Sequence, residues 1–274
     1  LTHSMETVMH TAPACLTVAG FGPGSEACIS PEVREALARA EVVAGYTAYV
    51  DALPPDWLHG KRLIATGMRD EIGRCRQAAL AALEGRETVL VCSGDAGVYA
   101  LAGLLLELVE AWGLADTLPV RVLPGIPAVC AAAALLGAPL THDFACVSLS
   151  DLLTPWETIE RRAHAALAAD FVLALYNPRS HRRNWQFASI LDHIADIYGD
   201  KRVAGVVRQA YRAGQTVWTG TVGGLDPETV DMVSIVLIGN SATRIVHGRM
   251  VTPRGYLGAY DPGSLTGSQA VREG

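Results

Sequence analysis

The chain has 274 residues, half of them hydrophobic, with only 18% charged and a formal net charge of −6. That is enough apolar material for a substantial core and two domains. No basic domain is available to neutralise phosphates, which excludes a general nucleic-acid binder. Mean hydropathy is positive, but the most apolar run, Ile126 to Leu140, is broken by Pro127, Gly137 and Pro139. It is also too short to span a bilayer, so no membrane partner is expected.

Residues 1–14 carry no apolar signal-peptide core and read as a flexible leader. Cys15 to Gly20 predicts a strand. Ser30-Pro31-Glu32 reads as an N-cap, an N1 proline and a first-turn acid, opening a helix to Ala40. Glu41 to Ala44 and Lys61 to Ala65 predict short strands, and Asp70 to Glu84 has helical spacing. Val89 to Cys92 is a strand that breaks at Ser93-Gly94-Asp95-Ala96-Gly97, with a helix expected over Val98 to Ala111. Val120 to Leu123 is strand-like, Ile126 to Leu136 helical, and Gly137 to Thr141 a linker.

In the second half, Phe144 to Ser148, Phe171 to Tyr176, Arg202 to Val207, Gln215 to Thr221 and Ser234 to Ile238 predict strands. Trp156 to Ala168 and Ser189 to Tyr198 predict helices, and Tyr256 to Gly274 reads as a mobile tail. Alternating β and α elements predict an α/β fold: an N-terminal α/β domain over 15–140, a C-terminal α/β domain over 141–255, mostly parallel or mixed sheets, and a ligand cleft between them.

The cysteines, Cys15, Cys28, Cys75, Cys92, Cys130 and Cys146, form no C-x-x-C pair, and metal-ligand spacing is absent. Most sit in apolar runs and read as small core residues, with no metal expected and a reducing cytoplasm as the compartment.

Five strand ends are marked by glycine or proline: Val18 to Gly24, Ser93-Gly94-Asp95, Leu123 to Ala128, Tyr176-Asn177-Pro178 and Ile238 to Ser241. The first is not the dinucleotide fingerprint, because Pro23 stands where a helix should be gaining N–H donors. A lone acid, Asp95, after a strand is where open α/β sheets bind small polar ligands; glycines would admit the ligand to the backbone and the following helix would offer N–H groups. A plain tight turn is the alternative. No phosphate-binding loop is present, and neutral strand ends suit an adenine and a sulfonium better than a triphosphate.

Taken in order, VAGFGPG, SGDAGVY, VLPGIPA, LYNP and IGNS resemble the tetrapyrrole methylase family, from about Leu16 to Arg249. The resemblance implies S-adenosylmethionine (SAM), with its demethylated product SAH, bound between two α/β domains of a homodimer. It assigns Pro23, Ser93, Gly94, Asp95, Val98, Pro127 and Ala128 to that site from the first half, and Asn177, Gly239, Asn240 and Ser241 from the second. Ala96 departs from the proline that many members carry. Gly45 to Asp51, Ala65 to Glu71 and Ser148 to Trp156 resemble the subgroup that methylates precorrin-3B at C17 and contracts the ring to precorrin-4 in cobalamin biosynthesis.

That resemblance implies methyl transfer governed by positioning and a contraction that needs a general base. Asp151 and Tyr46 are the candidates; the alternatives are a loop acid and a packing residue. The polycarboxylate substrate suits arginine forks. Lys61 and Lys201 are the only lysines, while Arg69, Arg179, Arg182, Arg183, Arg208 and Arg212 lie in or beside the strand-end motifs. Arg69, Ser150, Thr154, Arg179 and Arg208 are the expected substrate-binding residues. His142, His181 and His247 read as polar surface or satisfied core residues. Two alternatives stay open: a methyltransferase for cobalt-precorrin-3 or another precorrin position, and a non-catalytic corrinoid carrier.

Overall fold

The computed structural model describes residues 12–180 and 183–263. The expected leader up to residue 11, His181, Arg182 and the expected tail from residue 264 lie outside the described residues. The first half runs β1 (Leu16–Gly20), α1 (Pro31–Arg39), β2 (Val42–Tyr46), α2 (Thr47–Val50), α3 (Pro55–Leu58), β3 (Arg62–Thr66), α4 (Glu71–Leu83), β4 (Thr88–Cys92), α5 (Leu101–Ala111), β5 (Val120–Leu123) and α6 (Ala128–Leu136). The second runs β6 (Gly137–Ala138), β7 (Phe144–Ser148), α7 (Trp156–Ala168), β8 (Val172–Tyr176), α8 (Gln186–Tyr198), β9 (Val203–Arg208), β10 (Thr216–Thr221), β11 (Ser234–Ile238), β12 (Arg244–Val246), β13 (Arg249–Val251) and α9 (Tyr256–Ala259).

The first five strands form a sheet in the order β3-β2-β4-β1-β5, and every pair is parallel. Both faces are covered, so the strands read as continuous apolar runs. Leu16, Val18, Leu90 and Cys92 face α4 and α5. Ala19, Val43, Val89 and Val91 face α1 and the Val50 to Leu53 turn. This is the strand period of two, and each fully buried Leu or Val contributes roughly 1.5–3 kcal/mol relative to exposure. Ser30 caps α1 as expected, its Oγ accepting the Val33 N–H at 3.2 Å behind an N1 proline. The adjacent strands β1 and β4 lead into helices on opposite faces of the sheet, α1 and α5. Their carboxyl ends therefore form a topological switch point.

The second large sheet is ordered β10-β9-β11-β8-β7. It is mixed: β7 and β8 pair parallel, β11 and β8 antiparallel. Val172–Tyr176 and Ser234–Ile238 are buried throughout. The expected linker after α6 is instead β6, paired with β13 in a three-stranded sheet of order β12-β13-β6. The β12–β13 hairpin turns at His247 and Gly248, both at positive φ (48° and 76°), the signature of a type I′ turn. His247 is thus an exposed turn residue.

The chain divides into two compact units. The first holds the residues up to Leu135 together with Val206–Val217 and Val230–Ile235; the second holds Leu136–Gly205, Trp218–Thr229 and the residues from Val236. This differs from a single cut at residue 140, because two late segments go with the first unit. Two further expectations are corrected. Tyr256–Ala259, read as mobile tail, is a short helix. Of the six cysteines, only Cys75 and Cys92 are buried, while Cys130 is exposed; burial pushes both buried thiols up to about 11. The apolar runs around the others belong to segments that lie only partly inside.

Candidate functional site

The carboxyl edge of the parallel sheet is built by close approach of backbone to backbone. Gly22 and Gly94 form an antiparallel bridge, exchanging hydrogen bonds of 3.0 and 2.8 Å. A Cβ on Gly20 would stand 2.6 Å from the Gly94 carbonyl oxygen and 2.8 Å from the Ala96 nitrogen. One on Gly125 would stand 2.2 Å from the Gly94 oxygen and 2.5 Å from the Gly20 oxygen. The glycines expected to admit a ligand therefore first admit one another, locking the loops after β1, β4 and β5 together.

Asp95 completes the lock. Its Oδ1 accepts the Gly97 N–H at 2.8 Å and its Oδ2 accepts the Gly125 N–H at 3.0 Å. The acid is a staple between two loops, a role that only the juxtaposition of β4 and β5 reveals. Helix α5 starts at Leu101 rather than Val98, so Val98 and Tyr99 (φ 52°) lie in the loop. The stretch after Asp95 thus offers irregular backbone instead of a helix N-terminus. Pro127, whose carbonyl accepts from Cys130 and Ala131, and Ala128 open α6. Pro23 and Ser93 are joined by Arg212, whose Nε donates to the Pro23 carbonyl at 2.6 Å and whose Nη2 donates to the Ser93 hydroxyl at 2.6 Å.

Tyr46 ends β2. Its ring meets Tyr49 edge-on, centroids 5.2 Å apart, and the Arg74 guanidinium lies 5.9 Å over it. Arg74 is a residue the sequence reading missed. It is 3% exposed, and its side chain donates to the Thr66 hydroxyl at 2.9 Å and the Gly67 carbonyl at 2.8 Å. The signal was available: Arg74 shares the buried face of α4 with Cys75, Ala78 and Ala82. Arg69 is exposed at φ 67°, with its backbone N–H on the Glu71 carboxylate.

The second unit assembles a different kind of edge. Asn177, at φ 49°, donates from Nδ2 to the Ser148 hydroxyl at 3.0 Å and accepts Arg183 Nη2 on its carbonyl at 2.7 Å. Ser150 donates its N–H to the same Ser148 hydroxyl. Asp151 is exposed and accepts Gln186 Nε2 on Oδ2 at 2.8 Å. Thr154 is half-buried in the same loop. Gln186 was not singled out from the sequence, because a lone glutamine opening a helix carries no distinguishing pattern.

Gly239, Asn240 and Ser241 form a self-contained turn. Arg202 Nε donates to the Gly239 carbonyl at 2.7 Å and Nη2 to Asp170 at 2.9 Å. Ser241 gives both its N–H and its O–H to Asp170. Burial alone would raise the Asp170 carboxyl; the Ser241 and Arg202 hydrogen bonds outweigh it and hold the group below its ordinary value. Two expected substrate arginines are already neutralised: Arg179 pairs with Glu228 at 2.5 Å, and Arg208, in the first unit, with Asp231 at 2.7 Å. Tyr46 and Arg69 belong to the first unit, and Asp151, Ser150, Thr154 and Arg179 to the second.

Among the described residues, no group of three or more His, Cys, Asp or Glu is arranged to hold a metal ion, and no helix is long and apolar enough to cross a membrane.

Comparison with known proteins agrees with this architecture. A family model for tetrapyrrole (corrin/porphyrin) methylases matches residues 15–226. A probable cobalt-factor III C(17)-methyltransferase of Salmonella typhimurium is 48% identical over 241 residues, covering 88% of this chain and 99% of that one. A precorrin-3B C(17)-methyltransferase of a Sinorhizobium species is 38% identical, covering 89% and 98%. The chain spans 46% of a Priestia megaterium cobalt-factor III methyltransferase at 39% identity. The crystal structure of the methyltransferase CobJ superposes with a TM-score of 0.83 at 41% identity, over 88% of this chain and 100% of that one. A glycine-locked parallel edge, a mixed second sheet and a match across most of the sequence converge on one assignment: the chain belongs to the tetrapyrrole (corrin/porphyrin) methylase family.

Proposed function

We propose that this chain is a SAM-dependent C-methyltransferase of cobalamin biosynthesis, methylating a precorrin-3-level tetrapyrrole at C17 with ring contraction. The observation that carries the reading is the 48% identity to the Salmonella typhimurium relative over nearly its whole length. A second reading concerns the metal. That relative is named for cobalt-factor III, whereas the one named for precorrin-3B is 38% identical. The higher identity favours the cobalt-containing substrate over the metal-free precorrin-3B.

The fit to SAM rests on the locked carboxyl edge of the parallel sheet: a switch point with Gly97 exposed beside the Asp95 carboxylate. When bound, SAM supplies a methyl group activated by its sulfonium. The chain's own residues supply positioning. Ser93 and Pro23 present polar atoms held in place by Arg212, and Asp95 keeps the β4 and β5 loops in register. In the second unit we assign the contraction base to Asp151. Gln186 holds its Oδ2, and among the described residues no donor contacts Oδ1, which leaves that oxygen for a proton. Tyr46 is the other candidate; its packing on Tyr49 and Arg74 gives it a positioning role as well. The working form is a cytoplasmic homodimer, supported by cysteine spacing that fits no disulfide framework and by the prevalence of two-fold assemblies.

The test is incubation of purified protein with SAM and either precorrin-3B or its cobalt-containing counterpart, followed by mass and visible spectra. A mass gain of one methyl and a contracted chromophore are expected. Tight pigment retention with no methyl transfer on either substrate would make the protein a carrier instead. Asp151→Asn should still transfer methyl while contraction slows ~10²-fold or more. Equal contraction rates would return Asp151 to a loop role.

A further inference from the structure

Of the arginines beside the strand ends, the structure separates those already neutralised from those that are not. Arg179, Arg202 and Arg208 each pair with a carboxylate. Arg212 does not: it is half-buried, and its partners among the described residues are a carbonyl and a hydroxyl, those of Pro23 and Ser93. A guanidinium carries five N–H donors, and these two bonds use one edge of it. The end-on pair formed by Nη1 and the second Nη2 hydrogen stays open, and among the described residues no carboxylate pairs with the guanidinium.

The loop that presents Arg212 is built to hold it. Gln209 and Tyr211 adopt positive φ, 50° and 59°, which costs a non-glycine residue energy that the surroundings must offset. The Arg212 N–H bonds the Gln209 carbonyl, the Gln215 N–H bonds the Arg212 carbonyl, and the Tyr211 N–H bonds the Gln215 side chain. Gly24, at φ 144°, leaves the space in which the Arg212 side chain lies; a Cβ there would stand 2.4 Å from Arg212 Cγ.

Beside it lies a line of rings. Phe21 meets Tyr49 edge-on at 6.0 Å, Tyr49 meets Tyr46 at 5.2 Å, and Arg74 sits over Tyr46. Burial raises the Tyr49 phenol pKa, and the Arg212 charge pulls against that rise. Arg212 and these rings therefore share one electrostatic neighbourhood at the carboxyl edge of the parallel sheet. An uncompensated guanidinium next to half-buried aromatic rings matches a flat, apolar ring bearing carboxylates on its rim.

We propose that Arg212 anchors a carboxylate of the tetrapyrrole substrate beside the Tyr46–Tyr49 pair, while its Nε edge ties the Pro23 and Ser93 loops. This rests on the proposed function for the identity of the ligand. It also assigns the anchoring role to a residue other than Arg179 and Arg208, whose charges are spent on Glu228 and Asp231.

The experiment separates the anchor from a mere loop tie. Glutamine at 212 keeps a hydrogen-bond donor for the loops but loses the charge. Binding of uroporphyrin III, a stable octacarboxylate, is followed by fluorescence for wild type and R212Q at several salt concentrations, with SAM affinity measured separately by calorimetry. The anchor predicts about 10- to 100-fold weaker porphyrin binding by R212Q, a shallower salt dependence, and a distinctly smaller loss of SAM affinity than of porphyrin affinity. Porphyrin binding by R212Q within twofold of wild type, or a parallel loss of SAM affinity, overturns it, as does absence of wild-type porphyrin binding. If R212Q does not fold, R212K carries the test, because an ammonium cannot reproduce the planar fork; unchanged porphyrin affinity in R212K then overturns the anchor. A wild type that binds the porphyrin but transfers no methyl refutes the proposed function and leaves the anchor standing. A wild type that methylates, with an R212Q variant of equal KM, does the reverse.

Discussion

The two units hold their loop edges by opposite means. In the first, the strands end in glycines, and the loops interlock backbone on backbone, with Gly20, Gly94 and Gly125 in mutual contact. In the second, side chains do the work: Asp170, Arg202 and Ser241 clamp one turn, and Asn177, Ser148 and Arg183 another. A backbone lock tolerates almost no added atom, and its glycine contacts do not depend on charge. A side-chain lock tolerates small volume changes but depends on charge, and so on pH.

The largest effect should come from breaking the backbone lock. Gly125→Ala places a Cβ against two carbonyl oxygens that cannot swing away. A loss of about 3 kcal/mol is expected, roughly 6–12 °C in Tm, together with loss of SAM binding. The control is Gly103→Ala, with nothing within 4 Å of its added Cβ, in the exposed face of α5; it should be neutral or stabilising by up to ~1 kcal/mol. Equal thermal shifts in the two variants would defeat the comparison.

Arg202→Met attacks the side-chain lock. It leaves the Gly239 carbonyl and Asp170 without their charged partner, at a cost of about 2 kcal/mol. Denaturant titration should show a lower midpoint with an unchanged slope. If the midpoint does not move, the clamp is ornamental.

Ser30→Ala, remote from both edges, removes the α1 cap and should cost about 1 kcal/mol. Its SAM affinity should match wild type, which separates general destabilisation from damage to the edge.

The smallest expected effect is a pH dependence centred on the second unit. His164 on α7 stacks on His193 on α8, with centroids 3.4 Å apart, and its buried Nε2 has no hydrogen-bond partner among the described residues. Burial, then the neighbouring His193 charge, lowers its pKa against a weaker opposite pull from Glu160. The unfolded chain therefore binds this proton first. The contribution of neutral His164 is complete above the ordinary imidazole value of 6.5 and is lost as pH falls through the lower folded value. Asp170, held below the ordinary carboxylate value, adds a second loss at more acid pH, as pH falls through its folded value; Asp231 does the same in the first unit. Denaturation midpoints measured from pH 8 down to pH 5 should decline, and His164→Asn should flatten the decline. A flat wild-type profile over that range would contradict the assignment.

Much of this molecule could be read from the chain. The apolar runs at Leu16 to Gly20 and Thr88 to Cys92 announce buried parallel strands because both faces are covered, and Ser30-Pro31 announces a helix start because capping is local. The Trp156–Ala168 helix follows its own periodicity. Strand β6 was not legible: two residues, Gly137 and Ala138, become a strand only through their pairing with Met250 and Val251. The start of α5 was misread for a similar reason. Val98 to Ala100 have helical periodicity, but the loop that carries Asp95 to the β5 side draws them out of the helix.

What the sequence determined by itself is whatever depends on neighbours along the chain: element type, caps, the alternation that makes an α/β fold, and the ordered strand-end motifs that mark the family. What only tertiary structure decided is how each polar group spends its hydrogen bonds and charge. Asp95 is a staple because Gly125, thirty residues on, lies within reach of it. Arg179 and Arg208 are neutralised because Glu228 and Asp231 fold against them, while among the described residues the Arg212 guanidinium meets a carbonyl and a hydroxyl. Residue type specifies the donors and acceptors a side chain carries; only the assembled fold specifies which of them are left over for a ligand.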